Sequence, residues 1–183
     1  MKGISHRPRI ARTAYVHPSA VLIGRVVVGS GVFIGPHAVI RADEPGPDGR
    51  VQPIVVGDGA NVQDGVVIHA LGGTGVRIGP RASISHAAVV HGPCKIGSGC
   101  FIGFNAVVFN AVLGDGVIVM HLALVEGVRV PAGHMVPPAT VLCSKEAVRG
   151  LRRATPEAVG FARRVWRTNI GLAKRALERG QRK

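Results

Sequence analysis

The chain has 183 residues, of which 46% are hydrophobic but only 4% aromatic, and its formal net charge is +13. This length suits one ordinary domain with a small appendage, and the core must be aliphatic, built from Val, Ile, Ala and Leu. The 26 glycines follow no collagen-like triplet, and no apolar run approaches the ~18 residues of a membrane span, so no membrane association is expected.

The N-terminus, Met1 to Ile10, carries charge but no apolar stretch of the kind a signal peptide needs. From Val16 onward the chain repeats every six residues. An aliphatic residue opens each hexad, turn-tolerant residues follow, and a small residue stands fifth. Hexads open at Val16, Leu22, Val28, Ile34 and Ile40, then at Val56, Val62 and Ile68, then at Ile78, Ile84, Val90, Ile96, Ile102 and Val108. The frame continues through Leu113, Val119, Val125, Val130 and Val136, with two steps shortened to five residues.

A period of six is neither an α-helix nor a plain amphipathic strand. It suits a short strand plus a tight turn, with three such units closing one triangular coil. The first and fifth residues point inward, and Gly and Asn are expected at the positive-φ turn positions. This pattern resembles the left-handed parallel β-helix of the hexapeptide-repeat proteins. The resemblance implies an all-β left-handed parallel β-helix over residues 10–142 and supplies the handedness, since ordinary crossovers are right-handed.

Two breaks interrupt the frame. Ile40 to Val56 is a step of sixteen residues, counted as two hexads plus four, and carries the polar loop Glu44 to Arg50. Ile68 to Ile78 is a step of ten, one hexad plus four, spent in Ala70 to Gly75. Cys94 and Cys100 fall at the fifth position and read as buried structural thiols. With Cys143 they form no CxxC pair and cannot all pair, which fits a reducing, cytoplasmic compartment.

Residues 143–183 change character, into a linker and an amphipathic α-helix. Thr155, Pro156 and Glu157 form a helix start, and Val159, Ala162, Trp166, Ile170, Ala173 and Leu177 recur at helical spacing. The helix is expected over about 156–179, outside the β-helix or on a neighbour. Much of the positive charge lies here, in Arg149, Arg152, Arg153, Arg163, Arg164, Arg167, Lys174, Arg175, Arg179, Arg182 and Lys183. Without aromatic interleaving or a DNA-binding motif it reads as a solvated basic helix, not a specific nucleic-acid surface.

The histidines carry the chemistry. His69 and His91 are both second in their hexads and 22 residues apart, one 18-residue coil plus the four-residue insertion, so they stack on one face. His86 belongs to the preceding face and should not reach them within one subunit. The same counting puts Arg41, Gln63 and His86 together on that preceding face. In a cyclic trimer one face meets the next face of the neighbour, which brings His86 opposite His69 and His91. Three imidazoles with an open fourth position form a catalytic zinc-type site. His6, His17, His37, His121 and His134 read as exposed or satisfied polar groups.

Arg41-Ala-Asp43-Glu44, Asn61-Val-Gln63-Asp64, His69 and the His86/His91 pair together resemble the motif set of gamma-class carbonic anhydrases. Phe101 to Val108 and Val130 to Gly133 are similar to that family's later coils. The resemblance implies that His69 and His91 of one subunit and His86 of the next bind Zn²⁺, or Fe²⁺ or Co²⁺. It implies that Gln63 hydrogen-bonds the metal-bound hydroxide or CO2, that Arg41 and Asp43 form an ion pair at the interface with Arg41 able to hold bicarbonate, and that Asn169 orients CO2. The implied reaction is reversible hydration of CO2 to bicarbonate, with the released proton leaving through a shuttle. The family's acidic shuttle loop is here Ala70 to Gly75, with no acid, leaving Glu44 for that role; the family's tyrosine two residues before the C-terminal asparagine is Arg167. Two alternatives stay open: a catalytically weak structural or assembly relative, and a hexapeptide acyltransferase, although no protruding arm of the kind such enzymes use is evident.

Overall fold

The computed structural model describes residues 7–180, so His6, Arg182 and Lys183 lie outside the described residues. The hexads fold as read. Each contributes a two- to four-residue strand, and the strands sort into three parallel sheets with seven coils stacked along the axis. Face A runs from Arg9–Ile10 through Val26–Val28, Ile54–Val56, Val76–Ile78, Cys94–Ile96 and Val112–Leu113 to Arg129–Val130. Face B begins at Tyr15–Val16 and ends at His134–Val136; face C begins at Val21–Gly24 and ends at Val141–Leu142. With the hexapeptide repeat, this architecture is a left-handed parallel β-helix followed by a C-terminal α-helix.

The core is three aliphatic ladders. On face B, Ile34, Val62, Ile84, Ile102 and Val119 pair coil to coil and are fully buried. On face C the ladder is Ile40, Ile68, Val90, Val108 and Val125. The small fifth residues, among them Ala38, Ala60, Ala82, Ala88 and Ala106, fill the corners with no exposure. The two shortened steps also hold: Ile96 pairs with Leu113 and Leu113 with Val130, so these coils spend seventeen residues where Ile78 and Ile96 spend eighteen.

The corners between faces B and C are left-handed at the fourth hexad position. Gly65 and Asn105 sit there, as expected, but so do His37, Ala87 and Leu122, with φ of 56°, 57° and 62°. This conformation costs an L-residue about 1–2 kcal/mol. The corner amides offset it by bonding to the neighbouring coil: Ala87 N–H donates to Asp64 O at 3.0 Å and Leu122 N–H to Phe104 O at 3.0 Å.

One part of the frame needs correction. Val56 pairs with Val28 on face A, so the step from Ile40 is one hexad plus a ten-residue insertion, not two hexads plus four. The inserted loop closes on itself through a Pro45–Val51 bridge and a Gly46 N–H bond to Arg50 O at 2.8 Å. A self-closed loop leaves and rejoins the coil at one corner, so its length is free of the period.

Past the last coil, a short helix α1 (Lys145–Arg149) and a two-residue strand Arg152–Arg153, antiparallel to His134–Val136, were not visible as elements in the sequence. Val148 and Leu151 pack on the end of the core. The helix α2 (Pro156–Gly180) then runs back along face B. Thr155 caps it, its hydroxyl accepting from Ala158 N–H at 3.3 Å. The carboxyl of Glu157 is held below its usual range by its own backbone N–H and then by the Thr155 hydroxyl. Trp166 anchors the helix by donating its indole N–H to Gly59 O at 2.7 Å, and Phe161 packs edge-on against the buried Phe101 at 5.6 Å. Among the described residues no helix is long and apolar enough to cross a membrane.

Cys94 and Cys100 are buried and Cys143 is exposed; all three are free thiols. Burial pushes the Cys100 thiol from 9.0 up to about 12 and raises Cys94 as well. A thiol whose value is raised by folding contributes stability that is whole below its unfolded value and is lost as pH rises through the folded one. Native protein should therefore present one thiol to a thiol-specific chromogenic reagent at neutral pH and three after denaturation. Denaturant stability should fall as the pH is raised from 9 towards 12.

Candidate metal centre

The ladder on face C decides which side chains meet. Arg41, His69, His91 and Phe109 are consecutive rungs of one outward column, paired in register. Parallel neighbours lie about 4.8 Å apart, so the imidazoles are forced together. His69 Nδ1 is 3.3 Å from His91 Nε2, with ring centroids 5.1 Å apart and planes at 80°. Phe109 closes the far side of His91 edge-on at 5.5 Å.

The hydrogen bonds assign the tautomers. His91 Nδ1 faces Gly92 O at 3.2 Å, and a carbonyl only accepts, so Nδ1 carries the proton and Nε2 offers its lone pair. His69 Nδ1–H then donates to that nitrogen. His69 Nε2 remains, buried and without a hydrogen-bond partner, facing Glu44 Oε1 at 3.3 Å and Asp43 Oδ1 at 3.7 Å. Asp43 Oδ1 is itself buried and unsatisfied. An unpaired imidazole nitrogen beside two carboxylates is a place for a cation, and imidazole nitrogens and carboxylate oxygens are donors that suit Zn²⁺ or a similar divalent ion. The donor set fits such an ion but is short: among the described residues of one chain, no three His, Cys, Asp or Glu are grouped to hold a metal.

The two insertions support this column. Arg41 grips Asp43, Nη2 to Oδ2 at 3.1 Å and Nε at 3.3 Å. Glu44 spans the loops, its Oε2 accepting the Gly72 N–H at 3.1 Å. The loops touch backbone to backbone: a Cβ on Gly72 would lie 2.5 Å from Pro45 O, so only glycine permits the crossing.

Arg41 is the misplaced residue. The frame put it beside Gln63 and His86, but it lies on the His69/His91 column. The ten-residue insertion, miscounted as two hexads plus four, shifted it by one face. Gln63 and His86 do share a face-B corner. His86 is half-exposed, with Nδ1 3.6 Å from Asp64 Oδ2 and its ring 5.5 Å from Phe104. Its partners there are not the other two imidazoles, as the frame requires within one chain. Of the other histidines, His121 is satisfied, accepting the Phe104 N–H at 3.0 Å and stacking on Phe104 at 4.4 Å.

The chain matches known proteins in sequence and in shape. The family description "Bacterial transferase hexapeptide (six repeats)" covers residues 7–42 and 75–110. The chain belongs to the hexapeptide-repeat family. Its relatives include the carbonic anhydrase of Methanosarcina thermophila, 35% identical over 82% of this chain and 66% of that protein. The carboxysome assembly protein CcmM of a Nostoc species is 38% identical over 90% of this chain but only 30% of its own length. The carnitine operon protein CaiE of Escherichia coli is 43% identical over 65% of this chain and 57% of its own. A hexapeptide transferase family protein of Anaplasma phagocytophilum superposes with a TM-score of 0.75 at 26% identity, covering 91% of each chain.

Within this hexapeptide-repeat chain two further features concern the site. Gln63 is buried in a polar thread that sequence reading did not assemble. Its Nε2 donates to Asn61 Oδ1 at 3.0 Å, and Asn61 Nδ2 donates to Ser83 Oγ at 2.7 Å. The signal was there: Asn61 and Ser83 stand at the outward sixth position of adjacent face-B coils, where a buried polar pair is worth noting. Asn169 is not brought to the histidines; its side chain bonds back to Val165 O at 3.0 Å within α2. Removing Asn61 by substitution with Ala would orphan two buried partners, so chemical denaturation should show a loss of about 2–3 kcal/mol, with Ser83→Ala costing less.

Proposed function

We propose that this chain is a metal-dependent carbonic anhydrase of the gamma class, catalysing reversible hydration of CO2 to bicarbonate as a homotrimer. The observation that carries the reading is the His69/His91 pair with His69 Nε2 buried and unsatisfied before two carboxylates. The 35% identity to a carbonic anhydrase supports it. The ion would be held by His69 Nε2, by His91 Nε2 once it gives up its hydrogen bond from His69 Nδ1–H, and by the partner subunit's His86. Bound Zn²⁺, Fe²⁺ or Co²⁺ supplies the Lewis acidity that lets water ionise near neutral pH.

The chain's own groups do the rest. Asn61 and Ser83 fix the Gln63 carboxamide, which presents a polar group to the substrate. Glu44 stands 3.3 Å from His69 Nε2 and is 43% exposed, so it can take a proton from the site and release it to solvent. No acid in Ala70 to Gly75 shares that work. Face C supports self-association: Val21, Val67 and Val141 are exposed, and Val39, Val89, Val107 and Leu124 complete an outward apolar column. Such a ladder on a soluble chain calls for a covering surface, and a second and third copy fit the missing ligand. Free thiols are in keeping with a cytoplasmic location.

A second reading is a catalytically weak assembly protein with the same metal site, favoured by the acid-free loop and the match to CcmM. Elemental analysis and stopped-flow CO2 hydration, on anaerobically prepared Zn and Fe forms, separate the two. The enzyme reading expects about one metal per chain, turnover, and loss of both in His91→Ala. Full metal occupancy without hydration selects the assembly reading, and failure to load any metal, or a monomer by ultracentrifugation, sinks both. Glu44→Ala should lower kcat by about 10- to 100-fold while leaving kcat/KM near wild type, with recovery in imidazole buffer; equal losses in both constants would remove Glu44 from the proton path.

A further inference from the structure

The three faces are dressed differently. Helix α2 covers face B and the histidines occupy face C, while among the described residues only α1 meets face A, at its last strand Arg129–Val130. Its single outward column carries Arg9, Arg77, Lys95 and Arg129, with valines such as Val55 and Val112 between them. Arg77 lies directly beside Lys95 in register. Like charges on adjacent rungs repel, and neither has a carboxylate partner among the described residues. Two grooves of about 360 Å³ each open on this face, one beside Arg77, Lys95 and the carboxamides of Gln52 and Asn110, the other between Arg7, Arg9 and Arg25. No acidic side chain lines either groove.

We propose that face A is a docking surface for an extended acidic segment of a protein partner. The occupant's carboxylates would sit on Arg77 and Lys95, relieving their mutual repulsion, and its apolar side chains over Val55 and Val112. The mixture of cations and valines along the column, with Pro53 and Pro93 beside it, matches mixed acidic and apolar side chains. A nucleic acid would ask for aromatic stacking platforms, and neither groove has an aromatic lining residue. The column from Arg9 to Arg129 spans about 29 Å at ~4.8 Å per coil, the reach of an extended peptide of about nine residues. The cations lie on face A and the histidines on face C, with Asn110 N–H donating to His91 O at 3.1 Å at the corner between them.

The probe is a labelled peptide of about ten residues repeating Glu-Glu-Val-Val, which puts acid and valine alternately on each side of an extended chain. Fluorescence anisotropy follows its binding to the full chain at low salt. Binding should weaken about tenfold in Arg77→Glu/Lys95→Glu and about threefold in Arg129→Glu, and should fall as salt is added. The helix-surface variant Arg164→Glu/Arg175→Glu, with the same change in net charge, should stay within about twofold. Both residues of the main variant are exposed, and circular dichroism confirms folding. No binding to wild type, equal weakening in the helix variant, or displacement by polyphosphate or duplex DNA at lower concentration than by unlabelled peptide would overturn the proposal.

Discussion

Everything in this molecule depends on parallel backbone pairing between successive coils. Each strand is only two to four residues long and could not persist alone. Stacked seven deep, the strands bond on both sides, and the first residue of every hexad falls on a column of its own kind. That register keeps Ile over Val over Ile in the interior with almost no exposure. It dictates with equal force which side chains share a column outside.

The outward columns are where the chain differs from a plain solenoid. Register alone puts His91 over His69 and both over Arg41. Tautomer logic then follows from the Gly92 carbonyl inward and ends at an unsatisfied nitrogen before Asp43 and Glu44. The insertions contribute by interlocking at glycines, so Glu44 is held by a backbone amide of the opposite loop. A rigid scaffold thus presents two interlocked loops, one of them charged, at one corner, a polar thread at another and an apolar face between them.

Much of this was legible from residue order. The period, the inward first and fifth positions, the buried thiols and α2 all follow from local patterning, because each is repeated or helical and so confirmed many times along the chain. The pairing of His69 with His91 was legible too, since the insertion between them is short and self-consistent. Arg41 was not, because a loop that closes on itself through Pro45 and Val51 has no obligation to the period. The left-handed corners occupied by His37, Ala87 and Leu122 also escaped, because there the neighbouring coil imposes what residue preference resists.

The sequence by itself determined the coil, its three faces, the inward ladders and the residue types available for a metal centre, because a six-residue repeat admits one way of burying its aliphatics. Only the tertiary structure decided that Arg41 belongs to the histidine column, that Asn61 and Ser83 hold Gln63, and that Asn169 turns back into its own helix. These outcomes depend on where loops of arbitrary length rejoin the stack and on which buried polar atoms find partners. Residue order alone fixes neither, since both are contacts between coils.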